Sequence, residues 1–366
     1  MLQVLSGAVV FDGEALHEGL SVVVEDGIIT ALRPDDGQGT RLGGILAPGF
    51  VDLQVNGGGG RMVDGSTDVG ALAAICAVHA RLGSAGIMPT LITDTPEATA
   101  RVIAAAIAAT GSPGFLGLHL EGPHLDRPGA HDPGLIRPME TADLDAYLAA
   151  AARLPALMIT LSPRAATLPQ IAALARAGVL VMLGHTDCTA PEAQGAYSVG
   201  AVGATHLFNA MSQMASRAPG LVGTVLGGDA AAGLIADGVH VAPLAMRVAL
   251  AAREKGLFLV SDAMAVAGTD AATFTLGTRT IHRNDGRLTL ADGTLAGADL
   301  TLAEAVGVLV RQAGAPPARA LAMASRIPAD LIGWGDRLGR IAPGRAAQLV
   351  HLGDDFALRG VWHAGQ

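Results

Sequence analysis

The chain has 366 residues, of which 50% are hydrophobic and 16% are charged, a composition typical of a tightly packed enzyme and not of a disordered chain. Aromatic residues make up only 3% and the formal net charge is -9, so we expect no binding to nucleic acid, which requires a basic groove and aromatic faces. The chain opens without a positively charged segment and has no apolar run of ~20 residues, so we expect a cytoplasmic protein with no signal peptide and no contact with membranes.

Both ends of the chain have the pattern of short β-strands. At the N-terminal end, strands are predicted over residues 4–10, 20–24 and 28–32, with a turn at 25–27. At the C-terminal end, strands are predicted over residues 348–352 and 360–363, after a turn at 342–345. The two ends are therefore expected to pair into one small, discontinuous β-sandwich domain made of residues 1–46 and 340–366.

Between the two ends, apolar runs alternate with alanine-rich helical segments. This alternation is typical of repeated βα units with a parallel sheet covered on its outer face. Eight strands are predicted, over residues 49–55, 87–92, 115–120, 157–161, 179–184, 202–206, 233–236 and 257–261. The fold class predicted for residues 47–339 is therefore α/β, a (β/α)8 TIM-like barrel.

Some helix boundaries and later elements are also predicted. Thr95 and Thr167 are expected to cap helices, the first with proline at its first position and the second ending near Gly178. After the eighth strand, a β-hairpin is predicted over residues 274–294, with turns at 284–286 and 292–293. Helices are then predicted over residues 302–312 and 317–332.

A carboxylate directly follows the third predicted strand. This residue, Glu121, is followed by Gly122 and Pro123. A buried carboxylate requires a cation or hydrogen-bond donors, because removing it from water costs several kcal/mol. In a parallel barrel the chemistry lies at the carboxyl ends of the strands. The polar residues at the other strand ends are Gln54 and Asn56 after the first strand, His185 after the fifth, His206 after the sixth and Asp262 after the eighth.

Glu121, His185 and His206 form a predicted metal site. Two imidazoles and a carboxylate leave a coordination position open for water, as a catalytic zinc ion requires. A histidine at one strand end is more often an ordinary hydrogen-bonding residue, and we interpret His79, His119, His282 and His351 in that way. Asp262 could cap a following helix, but beside a metal-bound water it is better interpreted as a general base.

Ten segments in order along nearly the whole chain resemble the N-acetylglucosamine-6-phosphate deacetylases of the amidohydrolase superfamily. These segments are GFVDLQVNGGGG, PTLIT, GLHLEGPH, GAHDP, GHTD, THLFNAM, RAPGLVG, IADGVH, SDAMAVAG and GTLAGADLTL. The resemblance implies metal-dependent hydrolysis of N-acetyl-D-glucosamine 6-phosphate to D-glucosamine 6-phosphate and acetate, in amino-sugar catabolism and cell-wall sugar recycling. It also implies Glu121, His185 and His206 as metal ligands and Asp262 as the acid/base.

The sequence departs from the wider superfamily at two points. Many members have His-x-His at the end of the first strand, where this chain has Gln54 and Asn56, and many use a carboxylated barrel lysine. The only lysine, Lys255, precedes the eighth strand at the wrong end. We therefore expect one divalent metal ion per subunit, Zn2+ first, with Fe2+, Co2+ and Mn2+ as alternatives, and with Gln54 and Asn56 as hydrogen-bonding support.

The resemblance further implies a set of substrate contacts. Arg217 and His240 match phosphate-binding residues, and His131 matches a histidine that contacts the acetyl carbonyl or a sugar hydroxyl. The remaining pocket residues implied are Ala130, Asn209, Ala210, Asp237, Leu295, Ala296 and Gly297. A homodimer is implied, because in this family the neighbouring subunit is thought to complete the phosphate pocket.

Three points stay open at this stage. No functional role is assigned to Cys76, Cys188, His119 or His124, although both cysteines are expected to be reduced thiols. The direction of one sugar hydroxyl, which separates the gluco from the galacto substrate, is not determined. An amidohydrolase that opens a cyclic amide and a non-catalytic scaffold remain as alternatives, although the basic residues Arg217 and His240 argue against the first and the complete ligand set against the second.

Overall fold

The computed structural model describes residues 1–363 of the chain. The N-terminal strands are β1 (Leu2–Ser6), β2 (Val9–Phe11), β3 (Leu16–His17), β4 (Leu20–Glu25), β5 (Ile28–Pro34), β6 (Thr40–Arg41) and β7 (Ile45–Pro48). The single strand predicted over residues 4–10 is wrong. Gly7 has a φ of 79°, a left-handed conformation that interrupts the extended chain, so β1 and β2 enter different sheets.

The barrel contains the expected eight parallel strands. In chain order the elements are β8 (Phe50–Val55), β9 (Gly57–Gly58), β10 (Arg61–Met62), α1 (Val69–Arg81), β11 (Ser84–Ile92), α2 (Pro96–Ala108), β12 (Leu118–Glu121), α3 (Thr141–Ala151), β13 (Leu157–Leu161), α4 (Leu168–Arg176), β14 (Leu180–Leu183), α5 (Ala190–Ser198), β15 (Gly203–Ala204), α6 (Gly220–Leu226), β16 (Ala231–Leu234), α7 (Pro243–Ala252) and β17 (Leu257–Leu259). The sheet order is β8, β11, β12, β13, β14, β15, β16 and β17, and a parallel bridge from Val55 to Ala263 joins its two edges. The predicted (β/α)8 barrel is confirmed.

Two details of the barrel follow from local geometry. Thr95 and Thr167 accept the backbone N–H of the residue three positions later, so both predicted helix caps are confirmed. The sixth strand is shorter than predicted and ends at Ala204, because His206 adopts a φ of 31° and leaves the extended conformation.

The chain continues through β18 (Thr273–Leu276), β19 (Arg279–Asn284), β20 (Arg287–Thr289), β21 (Leu295–Ala298), α8 (Leu302–Arg311), α9 (Pro317–Ala324), α10 (Arg326–Leu331), β22 (Leu349–Leu352) and β23 (Leu358–Trp362). The predicted hairpin is a four-stranded antiparallel sheet, because a further turn separates β18 from β19. The single helix predicted over residues 317–332 is wrong. Pro328 clashes with the carbonyl four residues earlier, at Ala324, and the helix breaks at Ser325.

The two chain ends meet in one sheet. β22 pairs antiparallel with β7, and the sheet order is β23, β22, β7, β2 and β3. A separate apolar core, which includes Leu5, Val22, Ile29 and Leu349, lies between this sheet and the sheet of β1. We propose a small domain of residues 1–46 and 340–366, the last three of which lie outside the described residues, and a barrel domain of residues 47–339.

Within residues 1–363, no helix combines the length and the hydrophobicity needed to cross a membrane.

The barrel core supplies a first testable prediction. Phe258 on β17 has only 2% of its surface exposed, so Phe258→Ala leaves a cavity and should lower the free energy of unfolding by ~3–5 kcal/mol. Leu244→Ala on α7 is a suitable control, because Leu244 is 67% exposed. Denaturant midpoints should separate the two variants. Equal midpoints would contradict the proposed packing of this strand.

Candidate metal and active site

Four polar residues from different strands meet at the carboxyl edge of the barrel. Glu121 is the last residue of β12, and His185, His206 and Asp262 follow the ends of β14, β15 and β17. All four are buried, with at most 8% of their surface exposed. His185, His206 and Asp262 also have positive φ values of 47°, 31° and 50°. Such backbone conformations cost ~1–3 kcal/mol each in non-glycine residues and cluster at functional sites.

The ligand atoms predicted for the metal are in mutual contact. Oε1 of Glu121 lies 2.9 Å from Nε2 of His206 and 3.3 Å from Nε2 of His185, and the two imidazole nitrogens are 3.1 Å apart. Burial opposes ionisation of Glu121, but its contacts with His185 and His206 outweigh that effect and hold the pKa of Glu121 well below its usual value. The same carboxylate raises the pKa of His206 against the opposing effect of burial. The cluster therefore favours a bound cation.

His131 lies close enough to compete for the role of ligand. One ligand atom from each of Glu121, His131 and His185 falls within 4.8 Å of the others, although Nε2 of His131 is 3.9 Å from Oε2 of Glu121. Proximity alone therefore does not decide whether His131 or His206 is the third metal ligand.

Hydrogen bonds at the second ring nitrogens distinguish His131 from His185. Nδ1 of His185 faces the carbonyl oxygen of Arg127 at 3.0 Å, so Nδ1 carries the proton and Nε2 keeps its lone pair. Nδ1 of His131 accepts the backbone N–H of Thr93 at 3.3 Å, so in the neutral ring the proton is on Nε2. Burial holds the pKa of His131 well below its usual value and keeps it neutral. These contacts favour His185 as a metal ligand and His131 as a hydrogen-bond donor.

Asp262 is oriented by the two amides of the first strand. Nε2 of Gln54 donates to Oδ1 of Asp262 at 3.1 Å and to Oε1 of Glu121 at 3.3 Å, while Nδ2 of Asn56 donates to the same Oδ1 at 2.7 Å. Burial and the neighbouring charge of Glu121 raise the pKa of Asp262 to about 6. Helix capping is excluded, because the next helix along the chain begins only at Leu302. One carboxylate oxygen of Asp262 is thus held in place, and a pKa of about 6 allows this group to gain or lose a proton near neutral pH.

A buried carboxyl group beneath this site was not anticipated. Asp52 lies two residues before Gln54 on β8, so both side chains point to the same face of the strand. It is 1% exposed, burial raises its pKa to about 7, and it accepts the backbone N–H of Ser261 at 3.2 Å. Asp52 therefore ties the first strand to the segment that carries Asp262. The period-2 alternation of residues 52, 54 and 56 is the signal that could have identified it.

A cavity of about 460 Å³ opens above the cluster. Most of the predicted substrate contacts line it: Ala130, His131, Asn209, Ala210, His240, Leu295, Ala296 and Gly297. Asp237 is not a lining residue, but its Oδ2 lies 2.6 Å from Nδ1 of His240 and so fixes that ring. Arg217 is exposed, in the exposed loop 213–219, and is not among the lining residues that the structure describes.

Two arginines near the cavity were missed by sequence reasoning. Arg127 lines the cavity, and a side-chain nitrogen of Arg279, on β19, donates to the carbonyl oxygen of Ala130 at 2.6 Å. The position of Arg127 could have been inferred, because it lies in the loop after Glu121 and therefore on the same rim. The contact from Arg279 has no comparable signal, since it depends on how β18–β21 fold back over the barrel.

The residues without an assigned role lie outside the cavity. His119 lies between the hydroxyls of Thr90 and Thr160, and His124 contacts the hydroxyl of Tyr147 at 3.0 Å. Both cysteines are buried, and burial raises the pKa of Cys76 to about 12 and that of Cys188 to about 11. Neither thiol is therefore ionised near neutral pH.

Residues 45–366 match the model of the amidohydrolase family. The N-acetylgalactosamine-6-phosphate deacetylase of Shewanella sp. (strain ANA-3) is 36% identical, over 99% of this chain and 95% of that protein. The N-acetylglucosamine-6-phosphate deacetylase of Haemophilus influenzae is 33% identical, over 96% of this chain and 92% of that protein. The crystal structure of N-acetylglucosamine-6-phosphate deacetylase from Pasteurella multocida superimposes with a TM-score of 0.93 at 31% identity, over 100% of this chain and 99% of that one.

Proposed function

This chain belongs to the amidohydrolase family, and we propose that it hydrolyses the N-acetyl group of N-acetyl-D-glucosamine 6-phosphate to give D-glucosamine 6-phosphate and acetate. The observation that carries the proposal is the contact between Glu121, His185 and His206, all within 3.3 Å, beside the carboxylate of Asp262 and under an open cavity. We propose that this reaction belongs to amino-sugar metabolism and takes place in the cytoplasm.

Glu121, His185 and His206 would hold one divalent ion, with Zn2+ preferred and Fe2+, Co2+ or Mn2+ as alternatives. The donor set fits such an ion, because an ionised carboxylate and the lone pair of His185 converge on one point. When bound, the ion supplies a Lewis acid for the acetamide carbonyl and lowers the pKa of an attacking water. A second ion would need imidazole ligands at positions 54 and 56. This chain has the amides Gln54 and Asn56 there, which supports a single ion.

The side chains divide the proton transfers and the charge stabilisation between them. Asp262 accepts a proton from the attacking water as the new C–O bond forms. The same proton then passes to the sugar nitrogen as the C–N bond breaks, so a neutral amine and acetic acid form. The acetic acid then releases its remaining proton to water and becomes acetate. Nε2–H of His131 points toward the cluster and can donate to the carbonyl oxygen as negative charge develops there.

The substrate extends from this cluster into the cavity. His240, fixed by Asp237, and the backbone around Asn209 and Ala210 line the space for the sugar. Arg217 lies in an exposed loop, so we propose a homodimer in which loop 213–219 reaches the phosphate end of the neighbouring cavity.

The galacto epimer is a second candidate substrate, because the Shewanella relative is named for it. A direct test is acetate release by metal-reconstituted protein from N-acetylglucosamine 6-phosphate, its galacto epimer and unphosphorylated N-acetylglucosamine. We expect the highest kcat/KM for the gluco phosphate. A higher kcat/KM for the galacto phosphate would make that epimer the preferred substrate. Absence of activity on both phosphorylated sugars would reject the proposed reaction.

Arg217→Ala tests the proposed phosphate contact. One lost hydrogen bond to a charged group costs ~1.5–3 kcal/mol, so kcat/KM should fall about tenfold or more for the phosphorylated sugar relative to the free sugar. Arg176→Ala, at an exposed arginine that ends α4, is the matched control. Equal losses on both substrates would remove Arg217 from phosphate binding.

A further inference from the structure

The cavity contains one arginine of its own chain. Among the lining residues that the structure describes, Arg127 is the only lysine or arginine, whereas Glu121 and Asp262 contribute carboxylates. A phosphate dianion needs a fixed cation, and an arginine offers it a planar fork of donors. The phosphate must also lie away from the two carboxylates. Among the cavity residues, Arg127 supplies a fixed positive charge for that end of the substrate, in addition to the imidazole of His240.

The backbone of Arg127 is fixed against a proposed metal ligand. Its N–H donates to the carbonyl oxygen of His185 at 2.9 Å, and its own carbonyl accepts Nδ1–H of His185 at 3.0 Å. These two bonds hold Arg127 at a set position relative to His185. The distance from the Arg127 backbone to the reacting acetamide is therefore fixed. A contact from the guanidinium then requires a phosphate at a defined distance from the acetamide.

The guanidinium keeps donors available. Both hydrogen bonds that it makes within residues 1–363 leave from Nη1, to Oδ1 of Asp187 at 2.9 Å and to the carbonyl oxygen of Met211 at 2.9 Å. The side chains of Arg127 and Asp187 are 42% and 54% exposed, so their ion pair is weak. Nη2 and Nε are free of partners in the described residues, and a dianion can compete with Asp187.

We infer that Arg127 contacts the phosphate of the substrate bound to its own subunit and so contributes to selection of phosphorylated sugars. This inference rests on the proposed function. It differs from the role proposed for Arg217, because Arg127 lines the cavity of its own chain and needs no partner subunit.

Arg127→Ala should lower the ratio of kcat/KM for phosphorylated over free sugar by about tenfold to a hundredfold, with Arg127→Lys intermediate. Arg153→Ala is the matched control, since Arg153 is exposed and lies between α3 and β13, at the opposite end of the barrel. Metal content should match the wild type, because the two hydrogen bonds between Arg127 and His185 both use the backbone of Arg127. An unchanged ratio would overturn the inference.

Asp187→Asn should act in the opposite direction. Removing the competing carboxylate frees Arg127, so KM for the phosphorylated sugar should fall about twofold to fivefold, as expected for a weak exposed pair. An increase in KM would contradict the proposed competition.

Ligand binding separates this inference from the proposed function. Calorimetry with D-glucose 6-phosphate, and with D-glucose as reference, measures phosphate recognition without any acetamide. Wild-type protein should bind the phosphate ester at least about tenfold more tightly than Arg127→Ala does. Equal affinities would reject Arg127 whether or not the protein releases acetate, whereas failure of the wild type to release acetate would reject only the proposed reaction.

Discussion

Asp262→Asn is expected to keep metal and substrate bound while turnover falls by on the order of a thousandfold or more. The amide is nearly the same size as the carboxylate, but it cannot accept a proton from the attacking water or return it to the amine. Asparagine also tolerates the positive φ of 50° at this position. The measurements are kcat, metal content and substrate affinity of the purified variant.

Asp285→Asn is the matched control, because Asp285 also has a positive φ, of 49°, but lies in an exposed turn between β19 and β20. It should retain full turnover. Normal turnover in Asp262→Asn would show that Asp262 does not carry out the proton transfers.

The pH dependence gives an independent measure of the same role. Burial raises the pKa of Asp262 to about 6, and only the ionised carboxylate can act as a base. In the wild type, kcat/KM should therefore fall as the pH decreases through a midpoint at or below about 6, since a neighbouring metal charge lowers the pKa. The residual activity of Asp262→Asn should lack that decrease.

Glu121→Gln is expected to lose both the bound metal and nearly all activity. The substitution keeps the shape but removes the negative charge that contacts His185 and His206 at 3.3 and 2.9 Å. Metal activation contributes several kcal/mol to the transition state, so the loss of turnover should be about a thousandfold or more. Elemental analysis after dialysis, with Glu97→Gln at an exposed helix position as control, measures the effect. Full metal content in Glu121→Gln would disprove the ligand assignment.

The same metal assay distinguishes the three histidines. His185→Ala and His206→Ala should lose the ion, whereas His131→Ala should retain it and lose turnover instead, because Nδ1 of His131 accepts from Thr93 and leaves its proton on Nε2. If His131→Ala lost the metal and His206→Ala retained it, His131 would be the metal ligand and His206 would not.

The sequence by itself determined the barrel and the residues at its carboxyl edge. Alternating apolar runs and helical segments predict parallel strands, and the closed sheet brings Glu121, His185, His206 and Asp262 together from distant positions. The positions of these residues could be predicted for two reasons. The end of a strand can be recognised from the local sequence, and a parallel barrel brings all such ends to one rim.

Tertiary structure decided what no local pattern records. The entry of β1 and β2 into different sheets and the contact of Asp52 with Ser261 both depend on partners that are distant in the chain. The different roles of His131 and His185 depend on a backbone N–H in one case and a carbonyl in the other, each supplied by a different loop. Arg127 lines the cavity while Arg217 is exposed, although both are arginines in loops. A side chain's partner depends on three-dimensional packing, so its chemistry is settled only when the chain is folded.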